Sequence, residues 1–469
     1  NKACFMTLRN AARNMLPQLE KLLESIPCDY AEARLTIGES TAIALSGLEV
    51  ESISSGESRG GSLRIFDRGA WSFCSFNDFA EIPSRAESLL RRSARLAGAA
   101  PGLCRSRPII ARYSTKTEVP CDDVPFDEKF ELVRRYNEIL RSPSSVQTTR
   151  AMYRDSRSIF LYRNTEGTEV SYDRSFCGVS LAAIAKDGSL IQPYSESAAG
   201  YGGFELALGR EEMAENAARM AVDLLHAEPA PGGSFNVVMD PHLAGVFIHE
   251  AFGHLSEADF IYENARMMEL MKRGRRLGIG DLSIVDDGSL EGLAGFIPID
   301  DEGIASGPTY LVRNGVLEGH LHSRETAYRM GEEPGGNARA ISAAAQPIVR
   351  MTNTYIENGR HRLDEMLDAA EGGLYVADAL GGQTNLEMFT FSAGYGREIK
   401  NGRPGKLYRD VMLSGNTFQT LSDIAMIGGD RQMFGGLGGC GKKGQSPLPV
   451  SFGGPHLMVK NVLIGGRRP

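Results

Sequence analysis

Apolar residues recur at intervals of three and four positions in four stretches of the first half of the chain. These stretches predict amphipathic helices and cover residues 8–26, 80–98, 127–140 and 211–227. Pro17 falls inside the first stretch and predicts a kink or a restart, because proline lacks the amide hydrogen that a helix interior needs. The segments between the four stretches follow a different pattern.

Apolar and polar residues alternate in those intervening segments, which is the pattern of half-buried strands. Short alternating runs at Ala33–Ile37, Leu63–Ile65 and Trp71–Phe73 are separated by clusters of glycine and serine. Strand-like segments resume over residues 147–192. The first half is therefore predicted to hold a β-sheet with flanking helices.

A run of proline and glycine, Pro229–Gly233, interrupts the chain near its middle. Residues of these two types stop a helix and form a linker. A chain of 469 residues also exceeds the ~250 residues that one hydrophobic core usually serves. We predict an N-terminal domain at 1–228, with a further division into 1–115 and 116–228, and a C-terminal domain at 234–469.

The second half opens with a strand pattern at Phe235–Met239, followed by Asp240 and Pro241. Aspartate at the N-cap and proline at the first helical position are the start signals of a helix. From residue 280 onwards the chain is rich in glycine, with short strand patterns and few helical ones. The fold class is predicted to be α+β, with a mixed N-terminal domain and a mostly antiparallel C-terminal β domain that carries the helix beginning at Asp240.

Composition and charge narrow the classes of function. Hydrophobic residues make up 42% and charged residues 23%, which is ordinary for a globular protein. Acidic residues outnumber basic ones, 59 to 51, for a formal net charge of −8. A basic surface is the usual mark of a nucleic-acid-binding protein, so nucleic acid is disfavoured as a partner. The basic run at Lys272–Arg276 is interpreted as a solvated face.

The cysteines indicate the compartment. There are seven, widely spaced and without a CxxC pair, which does not form a disulfide framework and favours a reducing, cytoplasmic environment. No basic region followed by an apolar stretch opens the sequence, so no signal peptide is expected. No run of about 18 apolar residues occurs, so no membrane-spanning helix is expected either.

The segment Val246–His254 contains the chemistry-bearing motif, a histidine, a glutamate beside it and a second histidine. Zinc peptidases commonly place two histidines at i and i+4 on one helix face, with the glutamate as general base. Here the spacing from His249 to His254 is i, i+5, which a regular helix spreads about 140° apart. We therefore predict a π-type turn or a helix break, with Gly253 as the residue that eases it.

Two histidines leave a catalytic zinc site one protein ligand short. Cys440 is the candidate for the third, because glycines on both sides allow a tight loop that delivers a thiolate to a metal. The same loop also resembles a phosphate-binding loop. That interpretation is rejected because Lys443 occupies the Ser/Thr position and because Gly444 and the prolines Pro447 and Pro449 oppose the helix that must follow.

His242, His320 and His322 are not assigned a role in catalysis. His320 and His322 alternate as on one face of a strand and could bind a metal, but no carboxylate or cysteine pattern supports this, so they are predicted to be a surface pair. His242 is interpreted as a residue of the helix start.

Several segments together resemble the TldD/PmbA family, formerly labelled modulators of DNA gyrase and now regarded as peptidases. The matching pieces lie in the C-terminal half: His249-Glu250, Gly253-His254, Glu257, Asp259, Arg350–Tyr355, Cys440–Gln445 and Val462–Gly466. The TldD branch carries both histidines, the glutamate and the cysteine, whereas the PmbA branch lacks the metal ligands. This chain has all four residues and so resembles TldD.

The resemblance implies zinc ligands at His249, His254 and Cys440, and a general base at Glu250. It also implies unfolded or flexible peptides as substrates and an active site enclosed in a dimer. Whether the dimer is formed with a PmbA/TldE-like paralogue or with a second copy stays open. Glu257 and Asp259 would either orient a histidine or belong to the surface.

Three other functions are compatible with the sequence. The chain could be a non-enzymatic regulator or scaffold of the same family, a modulator associated with nucleic acid, or a zinc hydrolase of non-peptide amides. The complete set of ligands argues against the first, because an idle site needs no glutamate beside His249. The acidic balance argues against the second.

Overall fold

The computed structural model describes residues 16–96 and 102–465, and its N-terminal half combines one sheet with four α-helices. The strands are β1 (Tyr30–Ser46), β2 (Glu49–Asp67), β3 (Ala70–Phe76), β4 (Ile110–Ser114), β5 (Val146–Asn164), β6 (Glu169–Asp187) and β7 (Leu190–Tyr201). The helices are α1 (Leu16–Glu24), α2 (Ile82–Leu96), α3 (Phe126–Leu140) and α4 (Glu211–His226).

Long antiparallel hairpins dominate this sheet. Its strand order is β3-β2-β1-β5-β6-β4, and β7 pairs with β6 beyond the part that β4 occupies. Two hydrophobic cores form against it, one between α3, α4 and strands β5 to β7, the other between α1, α2 and strands β1 to β3 and β5. On α4 the buried face consists of residues at helical spacing, including Ala214, Ala217, Ala221 and Leu224.

The C-terminal half consists of short strands and short helices. The strands are β8 (Glu228–Pro229), β9 (Gly233–Met239), β10 (Ile284–Asp287), β11 (Pro308–Arg313), β12 (Val316–Leu317), β13 (Ala338–Arg339), β14 (Ile348–Val349), β15 (Asn353–Ile356), β16 (Leu374–Asn385), β17 (Met388–Lys400), β18 (Arg403–Arg409), β19 (Met412–Asn416), β20 (Ile424–Ile427), β21 (Gln432–Gly435), β22 (Cys440–Lys442), β23 (Gln445–Leu448), β24 (Ser451–Gly454) and β25 (Leu457–Gly465). The helices are α5 (Pro241–Phe247), α6 (Ala258–Ile261), α7 (Ala265–Leu270), α8 (Arg324–Met330), α9 (Leu363–Ala369) and α10 (Thr417–Ser422).

Two larger sheets surround α5. One has the order β12-β11-β10-β15-β24-β21, and the other has the order β16-β9-β25-β19-β17-β18-β8 with β20 added on β25. Because β16 pairs with both β9 and β17, part of the second sheet closes on itself. The largest hydrophobic core buries Leu243, Ala244 and Phe247 of α5 among residues of both sheets, so this helix is held on several sides.

Buried contacts join the two halves of the chain. The Arg64 guanidinium lies between the carboxylates of Glu32, at 3.2 Å, and of Glu302 in the C-terminal half. Close by, Phe160 and Tyr172 of the N-terminal sheet pack with Ile299. Because a buried charge is costly unless it is paired, this network favours one relative placement of the N-terminal sheet and the C-terminal half.

The α+β prediction is confirmed, and so are the helices predicted at 80–98, 127–140 and 211–227. The glycine- and serine-rich part of residues 49–60, predicted to separate strands, instead belongs to β2. It is exposed, and it stays extended because its backbone continues to pair with β1, which requires no apolar side chain. Of the first predicted helix, residues 8–15 lie outside the described residues.

The predicted domain boundary stays a prediction. In this region β8 pairs with β18 and β9 begins at Gly233.

The six described cysteines are free thiols, and Cys4 lies outside the described residues. Within 16–96 and 102–465, no helix combines the length and the apolar character that crossing a bilayer requires.

Candidate metal centre

A π turn continues α5 and carries both histidines of the motif. The Asp240 carboxylate accepts a hydrogen bond from the Leu243 amide at 2.8 Å and so caps the first turn of α5. From Ile248 to Gly253 the helix widens to π geometry, and the His254 amide donates to the His249 carbonyl. This is an i to i+5 hydrogen bond, which turns both rings towards the same side. The helix irregularity predicted from the histidine spacing is confirmed.

Two glycines let this helix lie close to its neighbours. A Cβ added to Gly253 would lie 2.1 Å from the Met351 sulfur. A Cβ added to Gly245, on α5, would lie 2.7 Å from the backbone nitrogen of Gly453 on β24. Side chains at these positions would displace the helix that carries the histidines.

The glycine-rich loop that follows β21 brings Cys440 to the same place. The Leu437 amide donates to the Ser197 hydroxyl on β7 at 2.9 Å, and the backbone at Gly436 approaches Ser197 so closely that a Cβ there would lie 2.8 Å from the hydroxyl oxygen. Behind the loop, the buried Arg350 guanidinium donates to the Cys440 carbonyl at 2.7 Å. The thiol is therefore held by contacts from both halves of the chain.

His249, His254 and Cys440 converge. The Cys440 Sγ lies 3.2 Å from His254 Nε2, and the two imidazole centroids are 5.5 Å apart. One ligand atom from each of the three residues lies within 4.8 Å of the other two. His249 is 3% exposed, and its Nδ1 has no hydrogen-bond partner. Three soft or borderline donors thus face one point.

Charge around these residues favours a thiolate. Burial would raise the pKa of Cys440, but hydrogen bonds and charge from His249 and His254 outweigh it and lower this pKa to about 5. Burial would likewise lower the pKa of His254, but the Glu257 carboxylate and Cys440 raise it to about 11. At neutral pH the sulfur therefore carries a negative charge and is paired with a protonated His254, and a metal ion bound here would take the place of that proton.

Glu250 lies beside the three converging residues and faces a cavity of ≈ 500 Å³. Its carboxylate oxygen Oε2 lies 3.9 Å from His254 Nε2, and its backbone carbonyl accepts a hydrogen bond from the Thr384 hydroxyl. The cavity wall is built from both halves of the chain, including Tyr194, Glu196 and Ser197 of β7 and Ala379, Leu380 and Gly381 of β16. The sequence offered no signal for these N-terminal wall residues.

Glu257 and Asp259 occupy different positions behind the histidines. Glu257 is fully buried, and its Oε2 accepts hydrogen bonds from His254 Nδ1 and Lys442 Nζ, each at 3.0 Å. Asp259 instead binds the ammonium groups of Lys442 at 2.6 Å and Lys443 at 3.0 Å. Glu257 thus touches a histidine directly, whereas Asp259 contacts the lysine that holds Glu257.

Lys442 was not singled out from the sequence. It is buried between Glu257 and Asp259, and it also donates to the Val349 carbonyl at 2.8 Å. Burial would raise the pKa of Glu257, but Lys442 and His254 outweigh it and lower this pKa. Its signal in the sequence is its place in the Cys440–Gln445 segment, which carries part of the family resemblance.

The prediction of a surface pair at His320 and His322 is wrong. Both residues are buried, 4% and 1% exposed. Glu332, beyond the end of α8, contacts both rings, and the Met271 carbonyl, beyond the end of α7, contacts His320. Alternation of two histidines does not reveal which face a strand-like segment buries. His242 lies in the first turn of α5, as predicted, and its ring lines the cavity.

Three family models match successive parts of this chain. They are the PmbA/TldA metallopeptidase domain 1 at residues 31–97, the central domain at 119–225 and the C-terminal domain at 232–466. The last of these contains every residue of the candidate metal centre described above.

Individual relatives agree with these matches. A metalloprotease from Synechocystis sp. is 39% identical over 456 residues, 96% of this chain and 97% of its own. A zinc metalloprotease TldD homolog from Saccharolobus solfataricus is 31% identical over 65% of this chain and 68% of its own. The crystal structure of TldE from Thermococcus kodakarensis aligns with a TM-score of 0.75 at 16% identity, over 96% of this chain and 100% of that one, which is a likeness of fold.

Proposed function

Because this chain belongs to the PmbA/TldD metallopeptidase family, we propose that it is a zinc-dependent peptidase with His249, His254 and Cys440 as ligands and Glu250 as general base. The observation that carries the proposal is the convergence of two imidazoles from one π turn with a thiolate in the wall of a cavity. Glu250 lies in the same wall.

The residues fit a zinc ion in three ways. His249 Nδ1 is buried without a partner, which is costly unless something binds there. His254 Nδ1 is held by Glu257, which is how ligating histidines are usually oriented. Two imidazoles and a thiolate are also a ligand set that zinc accepts, with a position left open for catalysis. Zinc bound there supplies a Lewis acid that polarises the peptide carbonyl and lowers the pKa of water.

Glu250 performs the proton transfers in this proposal. Its carboxylate takes a proton from the attacking water and passes it to the nitrogen of the leaving amine. The position of Glu250 in the cavity wall gives it access to a substrate, while Thr384 anchors its backbone.

We further propose that the substrates are unfolded or flexible peptides. The cavity lies between segments of β7 and β16, and an extended peptide added along a strand edge binds through its backbone, with weak sequence preference. A peptide bound in this way would slow amide hydrogen exchange at Tyr194–Ser197. Exchange unchanged by saturating peptide would contradict strand addition.

The chain shares its fold with TldE from Thermococcus kodakarensis. We propose that the chain works either with a TldE-like paralogue or as a homodimer, in the cytoplasm. The acidic balance of the sequence continues to disfavour nucleic acid as a partner.

Glu250→Gln tests the assignment of the base. Hydrolysis of an unstructured peptide by the zinc-loaded protein should fall roughly 100-fold to 10,000-fold, the range for removal of a general acid–base group, with zinc content unchanged. Glu263→Gln is the matched control, because Glu263 is an exposed glutamate on the same segment. Hydrolysis that survives Glu250→Gln would favour a regulator or scaffold over an enzyme.

Cys440→Ala tests the ligand set separately. Elemental analysis of the variant should show loss of the zinc bound at this centre, because two histidines remain without the thiolate. Retention of that zinc with full affinity would exclude Cys440 as a ligand.

A further inference from the structure

A second cluster of metal-ligating side chains lies outside the cavity. His320 and His322 belong to the segment between β12 and α8, and Glu332 follows the end of α8. Their side chains are 2%, 1% and 11% exposed. One ligand atom from each residue lies within 4.8 Å of the other two. The proposed peptidase chemistry does not use any of them.

The outer nitrogen of each imidazole is held by a neighbour that is not part of this cluster. His320 Nε2 lies 2.7 Å from the Met271 carbonyl, and His322 Nδ1 lies 3.1 Å from the Thr326 hydroxyl. A carbonyl oxygen only accepts, so His320 must carry a hydrogen on Nε2. Histidines that ligate metals usually have their second nitrogen held in this way.

The inner nitrogens both face one carboxylate. His320 Nδ1 lies 2.9 Å from Glu332 Oε1, and His322 Nε2 lies 3.2 Å from Glu332 Oε2. A neutral His320 with its hydrogen on Nε2 would point a lone pair at the Glu332 oxygen, which is repulsive. A positive species between the groups relieves this repulsion. The Arg273 guanidinium lies 4.0 Å from the other oxygen, Oε2, so between His320 and Oε1 that species is either a proton on His320 or a cation.

We propose that His320, His322 and Glu332 bind a second divalent cation of the zinc class, distinct from the ion of the catalytic centre. Two imidazoles and one carboxylate form a recognised zinc ligand set. Each imidazole faces its own carboxylate oxygen, Oε1 at 2.9 Å from His320 Nδ1 and Oε2 at 3.2 Å from His322 Nε2, so one ion could meet both rings and the carboxylate together. Binding displaces the proton that His320 would otherwise share with Glu332.

The position of the cluster suggests what this cation does. Leu321, between the two histidines, accepts a hydrogen bond from the Ala258 amide at 3.0 Å, and its own amide donates to the Ser256 carbonyl at 2.9 Å. These contacts flank Glu257, which holds His254. A cation at the cluster would thus tie α8, the end of α7 and the strand segment at Leu321 together behind the catalytic centre.

Zinc stoichiometry tests the proposal on the full chain. Chelator-stripped protein is titrated with zinc and washed, and bound zinc is counted by elemental analysis. We expect two ions per chain in the wild type and one in Glu332→Gln, which keeps the shape of the side chain and weakens the ligand. Glu333→Gln is the matched control, because Glu333 is the exposed neighbour in sequence, and it should keep two ions.

Cys440→Ala separates this proposal from the proposed function. Cys440→Ala should keep one ion, and the double variant with Glu332→Gln should keep none. One ion in the wild type that survives Glu332→Gln and disappears with Cys440→Ala would overturn the second site and leave the catalytic one. One ion in the wild type that survives Cys440→Ala and disappears with Glu332→Gln would support the second site and contradict the ligand set proposed for the catalytic centre.

Cobalt replaces zinc in a second measurement. A sulfur-to-cobalt charge-transfer band marks the site that contains Cys440, and this band should persist in Glu332→Gln. Circular dichroism checks that Glu332→Gln is folded. If Glu332→Gln fails to fold, His322→Gln takes its place. Cobalt uptake that saturates at one ion per chain, all of it with the sulfur band, would show that protons fill the cluster and would overturn the proposal.

Discussion

Replacing Glu257 by glutamine should weaken zinc binding at the catalytic centre while leaving the fold intact. The amide keeps the length of the side chain, so its oxygen still reaches the donors on His254 and Lys442. Its NH₂ group takes the place of Oε1, which has no hydrogen-bond partner. The change therefore removes the negative charge behind His254 and little of the packing.

The structure sets the size of this effect. Removing a partner of a ligating histidine usually costs 10-fold to 100-fold in metal affinity, which is about 1.4 to 2.8 kcal/mol. Lys442 keeps the Asp259 carboxylate at 2.6 Å and the Val349 carbonyl at 2.8 Å, so its ammonium stays paired. The loss in unfolding free energy should therefore stay near that of one charged hydrogen bond, about 1.5 to 3 kcal/mol.

Competition with a chromophoric zinc chelator at fixed pH measures the affinity, and thermal unfolding of the same samples measures stability. Glu269→Gln is the control, because it removes the same charge from an exposed position on α7. Zinc affinities of Glu257→Gln and Glu269→Gln that agree within a factor of two would refute the view that Glu257 supports the metal site through His254.

Two further predictions concern the helix that carries the histidines. Burial and the neighbouring Asp378 raise the pKa of Asp240 to about 7. The contribution of Asp240 to stability should therefore fall as pH rises from about 4 towards 7, where the folded protein retains a proton that the unfolded chain has lost. Asp240→Asn should remove this loss, so the melting temperature of the variant minus that of the wild type should increase from pH 5 to pH 8. A difference that stays constant over this range would contradict the prediction. Gly245→Ala should lower the free energy of unfolding in urea by about 1 to 3 kcal/mol, because the added Cβ would meet the backbone of Gly453. Gly280→Ala is the control: there is open space around Gly280, so the free energy of unfolding should change by less than about 0.5 kcal/mol.

Local patterns in the sequence determined much of this protein. The N-cap and proline at Asp240-Pro241 placed the start of α5. The spacing from His249 to His254 required either a π turn or a helix break, and the structure shows the π turn. Both are short-range effects, because the hydrogen bonds concerned join residues three to five positions apart. Helices such as α3 and α4 were predictable for the same reason.

The tertiary structure alone decided which distant residues meet. Cys440 reaches His254 across 186 positions of the chain, and Lys442 is placed behind Glu257 by the same strand. The folded chain also buries His320 and His322, which their alternation left on either face. Side-chain periodicity specifies the faces of a helix or strand but not which face another part of the chain covers. The cluster of His320, His322 and Glu332 and the cavity wall on β7 therefore became visible only in the folded molecule.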